Sequence, residues 1–110
     1  MRILAIERER AAPPHSNLSD LLRDEAAGIW DLQKRDIVRE LWFTADRHAI
    51  IMLECASSTE ARKVLADLPM VRTGLIDFTV HELHHYDGFE RLFATGNEPV
   101  AIKQTEPAEY

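Results

Sequence analysis

The sequence predicts an α+β fold of ferredoxin-like type, with the order β-α-β-β-α-β and an antiparallel sheet. Three observations carry that expectation. β-prone runs rich in branched residues open the chain and recur twice as a pair around "ADRH". Segments with apolar residues at helical spacing stand before and after that pair. A final β-prone run, "LIDFTV", alternates apolar and polar side chains. An order of this kind places two helices on one face of an antiparallel sheet. The other face then needs a cover, and a second copy of the chain is the simplest one.

Each element has its own reason. Residues 2–8, "RILAIER", read as the first strand, and "AAPPHS" as a loop, because paired prolines cannot continue a ladder. Ser16 or Asn17 is placed to cap a helix running from Leu18 to about Lys34, where Leu18, Leu21, Leu22, Ile29 and Leu32 recur at helical spacing. Gly28 and Trp30 fall inside it. "DIVRELWFTA" and "HAIIMLECA" read as a hairpin around Asp46-Arg47. "SSTEARKVLADLP" starts at a capping Ser57 or Ser58, sets Ala61, Val64, Leu65 and Leu68 on one side, and stops at Pro69. "DGFERLF" suits a short terminal helix. One domain is expected over 1–95, with a polar, acidic, proline-bearing arm over 96–110.

Bulk properties bound the function. The chain has 110 residues, about 45% of them hydrophobic, enough for a core though short enough to gain from oligomerisation. Its net charge of −6 argues against nucleic acid, which demands a basic patch. The one basic cluster, Lys34-Arg35 with Arg39, is broken by Asp36 and Glu40. No run is long and apolar enough to span a bilayer, and "MRILAIERER" is too quickly charged for a signal peptide. A single cysteine, Cys55, excludes an internal disulfide and fits a reducing compartment. The expectation is a cytoplasmic protein.

The stretch "HELHH", His81 to His85, contains H-E-x-x-H. On a helix, that spacing sets two zinc ligands one turn apart, with a glutamate beside the metal-bound water. On a strand, the two histidines share a face but lie about 13 Å apart, at roughly 3.3 Å per residue. Two ligands of one zinc must each approach to about 2 Å, so a strand cannot supply them as a pair. Ile76, Phe78 and Val80 alternate with Asp77, Thr79 and His81, which favours the strand. Third-ligand candidates such as Glu90 or Glu98 stand at no telling spacing. No metal is assigned.

The block "KRDIVRELWFTADRHAIIMLECASSTEARKVLADLPMVRTGLIDFTVHELHHY" resembles the muconolactone isomerase family. The matching features are the Leu41-Trp42 pair, the Ala49-to-Cys55 strand followed by a Ser-initiated helix, Leu68-Pro69, and the run Ile76-Asp77-Phe78-Thr79-Val80. The likeness covers roughly residues 30–86. It implies a dimeric α+β barrel, two sheets packed face to face around a cavity, in some members assembled into larger rings. It also places HELHH at the end of the last strand. This chain departs from the family around Glu40 and Phe43, in Met70-Val71-Arg72-Thr73-Gly74, and in the tail. No family catalytic residue is carried over.

Strand alternation sorts the candidate site. Ile76, Phe78, Val80, Ala49, Ile51, Leu53, Cys55, Leu41 and Phe43 suit the helix side. The opposite face collects Glu40, Trp42, His48, Met52, Glu54, Asp77, Thr79 and His81, apolar walls with a few polar groups, as a small-ligand pocket has. A lactone isomerase moves a proton between two carbons. It needs a base beside a carbonyl, a donor to the enolate, and shelter from water. Glu54 or Glu40, its pKa raised in an apolar pocket, suits the base, and His81 the acid or shuttle. Arg39 or Arg72 suits a substrate carboxylate. Against each stands a plainer role. The carboxylates can pair with arginines at a dimer interface, His81 can be satisfied by backbone, Trp42 and Met52 can pack, and Cys55 can be a small core residue. The expected activity is isomerisation of a small lactone or related carbonyl compound, without a cofactor, in a homodimer. The alternatives are a cofactor-independent monooxygenase acting on a phenol, and a non-enzymatic ligand-binding module.

Overall fold

The computed structural model describes residues 1–13 and 16–93. β1 is Arg2–Glu9, α1 Leu18–Lys34, β2 Val38–Phe43, β3 Ala49–Glu54, α2 Ser58–Ala66, α3 Pro69–Arg72, β4 Ile76–Leu83 and α4 Glu90–Phe93. The four strands form one antiparallel sheet in the order β2-β3-β1-β4. This is the expected ferredoxin-like α+β arrangement. The arm expected over 96–110 lies outside the described residues.

β1 is central because it alternates cleanly. Ile3 and Ala5 are wholly buried on the helix side, while Leu4 and Ile6 look the other way. Ile3 lies opposite Leu53 and Ala5 opposite Ile51, both also fully buried. Val38, Leu32, Ala61, Leu65 and Leu68 complete this core. Each large aliphatic side chain buried there contributes about 1.5–3 kcal/mol.

The helix ends are partly as expected. Ser57 caps α2, its Oγ accepting the Glu60 N–H at 3.1 Å. Asn17 stands at the N-cap of α1 in a left-handed conformation (φ 63°), and its side chain makes no cap hydrogen bond. Pro69 does more than end α2. It opens α3 at the first helical position, where a missing N–H costs nothing.

β2 carries a bulge. Val38 faces Leu53 and Glu40 faces Met52, so Arg39 is the extra residue on the edge strand. The bulge keeps Val38 in the core while Glu40 reaches the open face. HELHH begins on β4: His81, Glu82 and Leu83 are strand residues, with His84 and His85 beyond its end. The helix required by the zinc-protease pattern is not formed there.

Candidate functional site

The open face of the sheet follows from the strand register. One row across it is Glu40, Met52, Leu4 and His81, and the next is Trp42, Ile50, Ile6 and Thr79. Glu40, Trp42, Met52, Glu54, Asp77, Thr79 and His81 therefore share this face, but local bonds already engage most of them. Glu40 accepts the Trp42 indole N–H at 3.2 Å. The Thr79 hydroxyl donates to the Ile6 carbonyl at 3.4 Å and lies 3.2 Å from His81 Nε2. Asp77 accepts two hydrogen bonds from Arg8, each 2.9 Å, and the guanidinium holds its carboxyl below the ordinary range. His48 sits in the hairpin turn, its N–H bonded to Thr44 Oγ1.

Glu54 is the clearest departure from expectation. A raised pKa was anticipated for it; instead its carboxylate receives the N-terminal ammonium of Met1, which pulls its pKa down, with Arg39 and Arg2 adding to the pull. Glu54 lies opposite Arg2 and His81 opposite Leu4, on the strands either side of β1. Two strand spacings and two residues separate them, roughly 12 Å between backbones. They do not converge within one chain. The two arginines do not join this face as a clamp either. Arg39 Nε donates to the Asp36 carbonyl at 2.7 Å, and Arg72 belongs to α3 in the helix layer. Burial, aided by Glu60, pushes the Cys55 thiol up, which disfavours the nucleophilic thiolate.

On the other side of the sheet, beneath α1, lies a cavity of about 310 Å³. Leu22, Ile29, Phe43, Ile76 and Phe78 make its apolar walls, and Glu7, Glu25 and Arg47 are the charged residues that line it. A second hollow, of about 530 Å³, continues past Ala26, Ile29, Phe43 and Ala49 toward Trp30 and Trp42 at the β2 edge. The inner cavity has the size and lining of a small-molecule site.

Two carboxylates from different elements meet this space. Glu7 follows Ile3 and Ala5 in the inward register of β1, and its Oε1 accepts the Ala49 N–H at 2.8 Å. Glu25 stands in the apolar stripe of α1 and is only 8% exposed. Its Oε1 accepts the Met70 N–H at 2.9 Å. Burial raises the Glu25 pKa; the Met70 hydrogen bond opposes this, the charge of Glu7 adds to it, and Arg72 opposes it. Among the described residues no protein donor engages the second oxygen of either carboxylate, and no side-chain oxygen is sealed without a partner. Each carboxyl thus has one oxygen anchored to backbone and the other free of protein donors among the described residues.

Alternation already marks Glu7 as inward, and Glu25 interrupts the helical stripe Leu18-Leu21-Leu22-Ile29-Leu32. Those were the legible signals. Among the described residues, no group of three or more His, Cys, Asp or Glu is gathered to hold a metal ion. No described helix is long and apolar enough to cross a membrane.

No protein-family model matches the chain, and no curated protein matches it. Among solved structures it is similar to 5-chloro-2-hydroxyhydroquinone dehydrochlorinase from Burkholderia phenoliruptrix, in complex with 2,5-dihydroxybenzoquinone. The TM-score is 0.52 at 16% identity, over 78% of this chain and 97% of that one. At that identity the likeness establishes the shared fold alone.

Proposed function

We propose that this chain is a proton-transfer enzyme acting on a small lactone or related carbonyl compound, with its reaction space beneath α1. The observation that carries the reading is the pairing of Glu25 and Glu7 on one mainly apolar cavity, each fixed by a backbone N–H. Burial disfavours the ionised form of Glu25, and the charge of Glu7 adds to that effect. Glu25, whose pKa is raised, is the carboxyl assigned the proton. Its free oxygen acts as the acid and donates to the developing enolate oxygen. Glu7 acts as the base and removes the proton from the carbon beside the carbonyl. Return of that proton at the conjugate carbon completes an isomerisation in which no electrons are lost. The apolar side chains that line the cavity lower its polarity and strengthen the hydrogen bond to the enolate.

The base is thus assigned to the cavity carboxylates rather than to Glu54, whose pKa moves the wrong way for that role. Glu54, His81, Glu40 and the residues around them belong to the face that a second copy covers. Leu4, Ile6, Ile50 and Met52 there are only half-buried in the single chain, and Trp42 is 64% exposed. A homodimer with sheets face to face buries them, as the resemblance to muconolactone isomerases implies.

The test is incubation with a panel of unsaturated lactones, muconolactone included, in heavy water. Deuterium uptake beside the carbonyl, abolished by Glu7→Gln and reduced at least tenfold by Glu25→Gln, is expected. Uptake that survives both substitutions eliminates this site. Dioxygen consumption with a phenol, and no exchange, shifts the assignment to the monooxygenase reading.

A further inference from the structure

Arg47 is the only cation among the described residues lining the inner cavity. Its backbone lies in the left-handed region (φ 67°), where non-glycine residues are uncommon. Three bonds hold the turn around it. The Arg47 N–H donates to the Thr44 carbonyl at 2.9 Å, the Thr44 N–H donates to the His48 carbonyl at 2.9 Å, and the His48 N–H donates to Thr44 Oγ1 at 3.0 Å. The guanidinium carbon lies 4.1 Å from the centroid of the Phe43 ring. No described carboxylate comes within ion-pair distance of it, although Glu7 and Glu25 line the same cavity. So the side chain is steadied by stacking, while the donors of its planar fork remain unspent.

The position of this cation matters. Arg47 precedes Ala49 by two residues, and Ala49 donates its N–H to Glu7. Arg47 and Glu7 line the same cavity, so a group bound at the guanidinium shares that space with the Glu7 carboxylate. With Phe43 beside it and Ile29 and Phe78 on the walls, the space between suits a flat ring. An anionic substituent on that ring would be repelled by two cavity carboxylates if nothing compensated. Arg47 supplies the compensation, and a carboxylate offers the two oxygens that its fork matches.

We infer that Arg47 is the specificity-determining anchor of the cavity, selecting ring compounds that bear a carboxylate and orienting their carbonyl end toward Glu7 and Glu25. This rests on the assignment of the cavity as the ligand site, but not on the chemistry performed there. Binding and turnover therefore test it separately.

The experiment compares muconolactone and 4-hydroxybenzoate with their methyl esters. Binding to the full chain is followed by calorimetry and by NMR of the Arg47 Nε–H and the Ala49 and Met70 amides. The acids are expected to bind and to shift the Arg47 Nε–H resonance, with the esters roughly 10- to 100-fold weaker, the scale of a charge-assisted hydrogen-bond pair. Arg47→Asn, which tolerates the left-handed backbone, is expected to erase that preference with the amide spectrum otherwise unchanged. Arg47→Lys should restore only part of it, because the ammonium keeps the charge without the fork. Equal binding of acids and esters, a preference that persists in Arg47→Asn, or no binding of any probe overturns the inference. Acid-selective binding without deuterium exchange leaves the anchor standing and removes the isomerase reading instead.

Discussion

The carboxylate of Glu25, on α1, accepts the backbone N–H of Met70, the second residue of α3, at 2.9 Å. α3 has no side-chain cap of its own, since Leu68 stands at its N-cap. A carboxylate reaching over from another helix therefore does the capping, and it does so from a buried position facing the cavity. Structure and the proposed chemistry are tied to the same side chain.

Glu25→Ala leaves the Met70 N–H without that acceptor and opens a small void. A loss of about 1–3 kcal/mol is expected, read by urea denaturation at neutral pH. Glu25→Gln keeps an acceptor oxygen and cannot ionise, so it should match or exceed the parent at that pH. The sign follows from linkage. The folded pKa of Glu25 is raised, so its contribution to stability is greatest below the ordinary carboxylate range and is lost as pH rises through the folded value. The Gln variant should lack that decline. A parallel decline in the variant would show that Glu25 is not the group responsible.

Asp77 titrates with the opposite sign. Its hydrogen bonds from Arg8, and then the charges of Arg8 and Arg10, depress its folded pKa. Its stabilising contribution is present above the ordinary carboxylate range and fades as pH falls through the folded value. Asp77→Asn should flatten the acid limb of the stability curve and weaken its salt dependence, while leaving exchange activity alone. An unchanged acid limb would mean that solvent screening has already cancelled the pair.

Gly28 lies inside α1 where a Cβ would meet Leu68 Cδ2 at 3.2 Å. Helix propensity favours Gly28→Ala by about 1 kcal/mol, and the crowding against a flexible leucine end opposes it. Near-neutral stability is expected for alanine. Gly28→Val should be destabilising by about 1–3 kcal/mol, because its branches meet a core that is already packed. Thermal melts of the two variants check this, and a stable valine variant would show that the helices can separate there freely.

Ile6 and Ile50 lie opposite one another on the uncovered face of the sheet, with Thr79 and Trp42 completing their row. If a second copy covers that row, Ile50→Lys places a charge in the interface and should convert a dimer to a folded monomer. Sedimentation velocity at several concentrations reads the change. A parent chain that sediments as a monomer at micromolar concentration overturns the dimer.

Period-two alternation and helical stripes were sufficient to determine element order, the faces of β3 and β4, and the strand character of the start of HELHH. Those features depend on side-chain spacing within a few residues, and spacing is written in the chain. The same logic set Leu41 and Phe43 apart from Trp42. Local sequence did not reveal that α3 would begin at Pro69, nor that Arg39 would be the bulged residue, because both depend on what packs alongside. The charge environments were decided by tertiary structure alone. Glu54 meets the chain's own N-terminus only because β1 and β3 are neighbours, and that contact turned an expected raised pKa into a lowered one. Glu7 and Glu25 share a cavity only because α1 crosses over the sheet. A pKa and a pocket arise from groups far apart in the chain brought within a few ångströms of each other, and no periodicity within one element encodes that meeting.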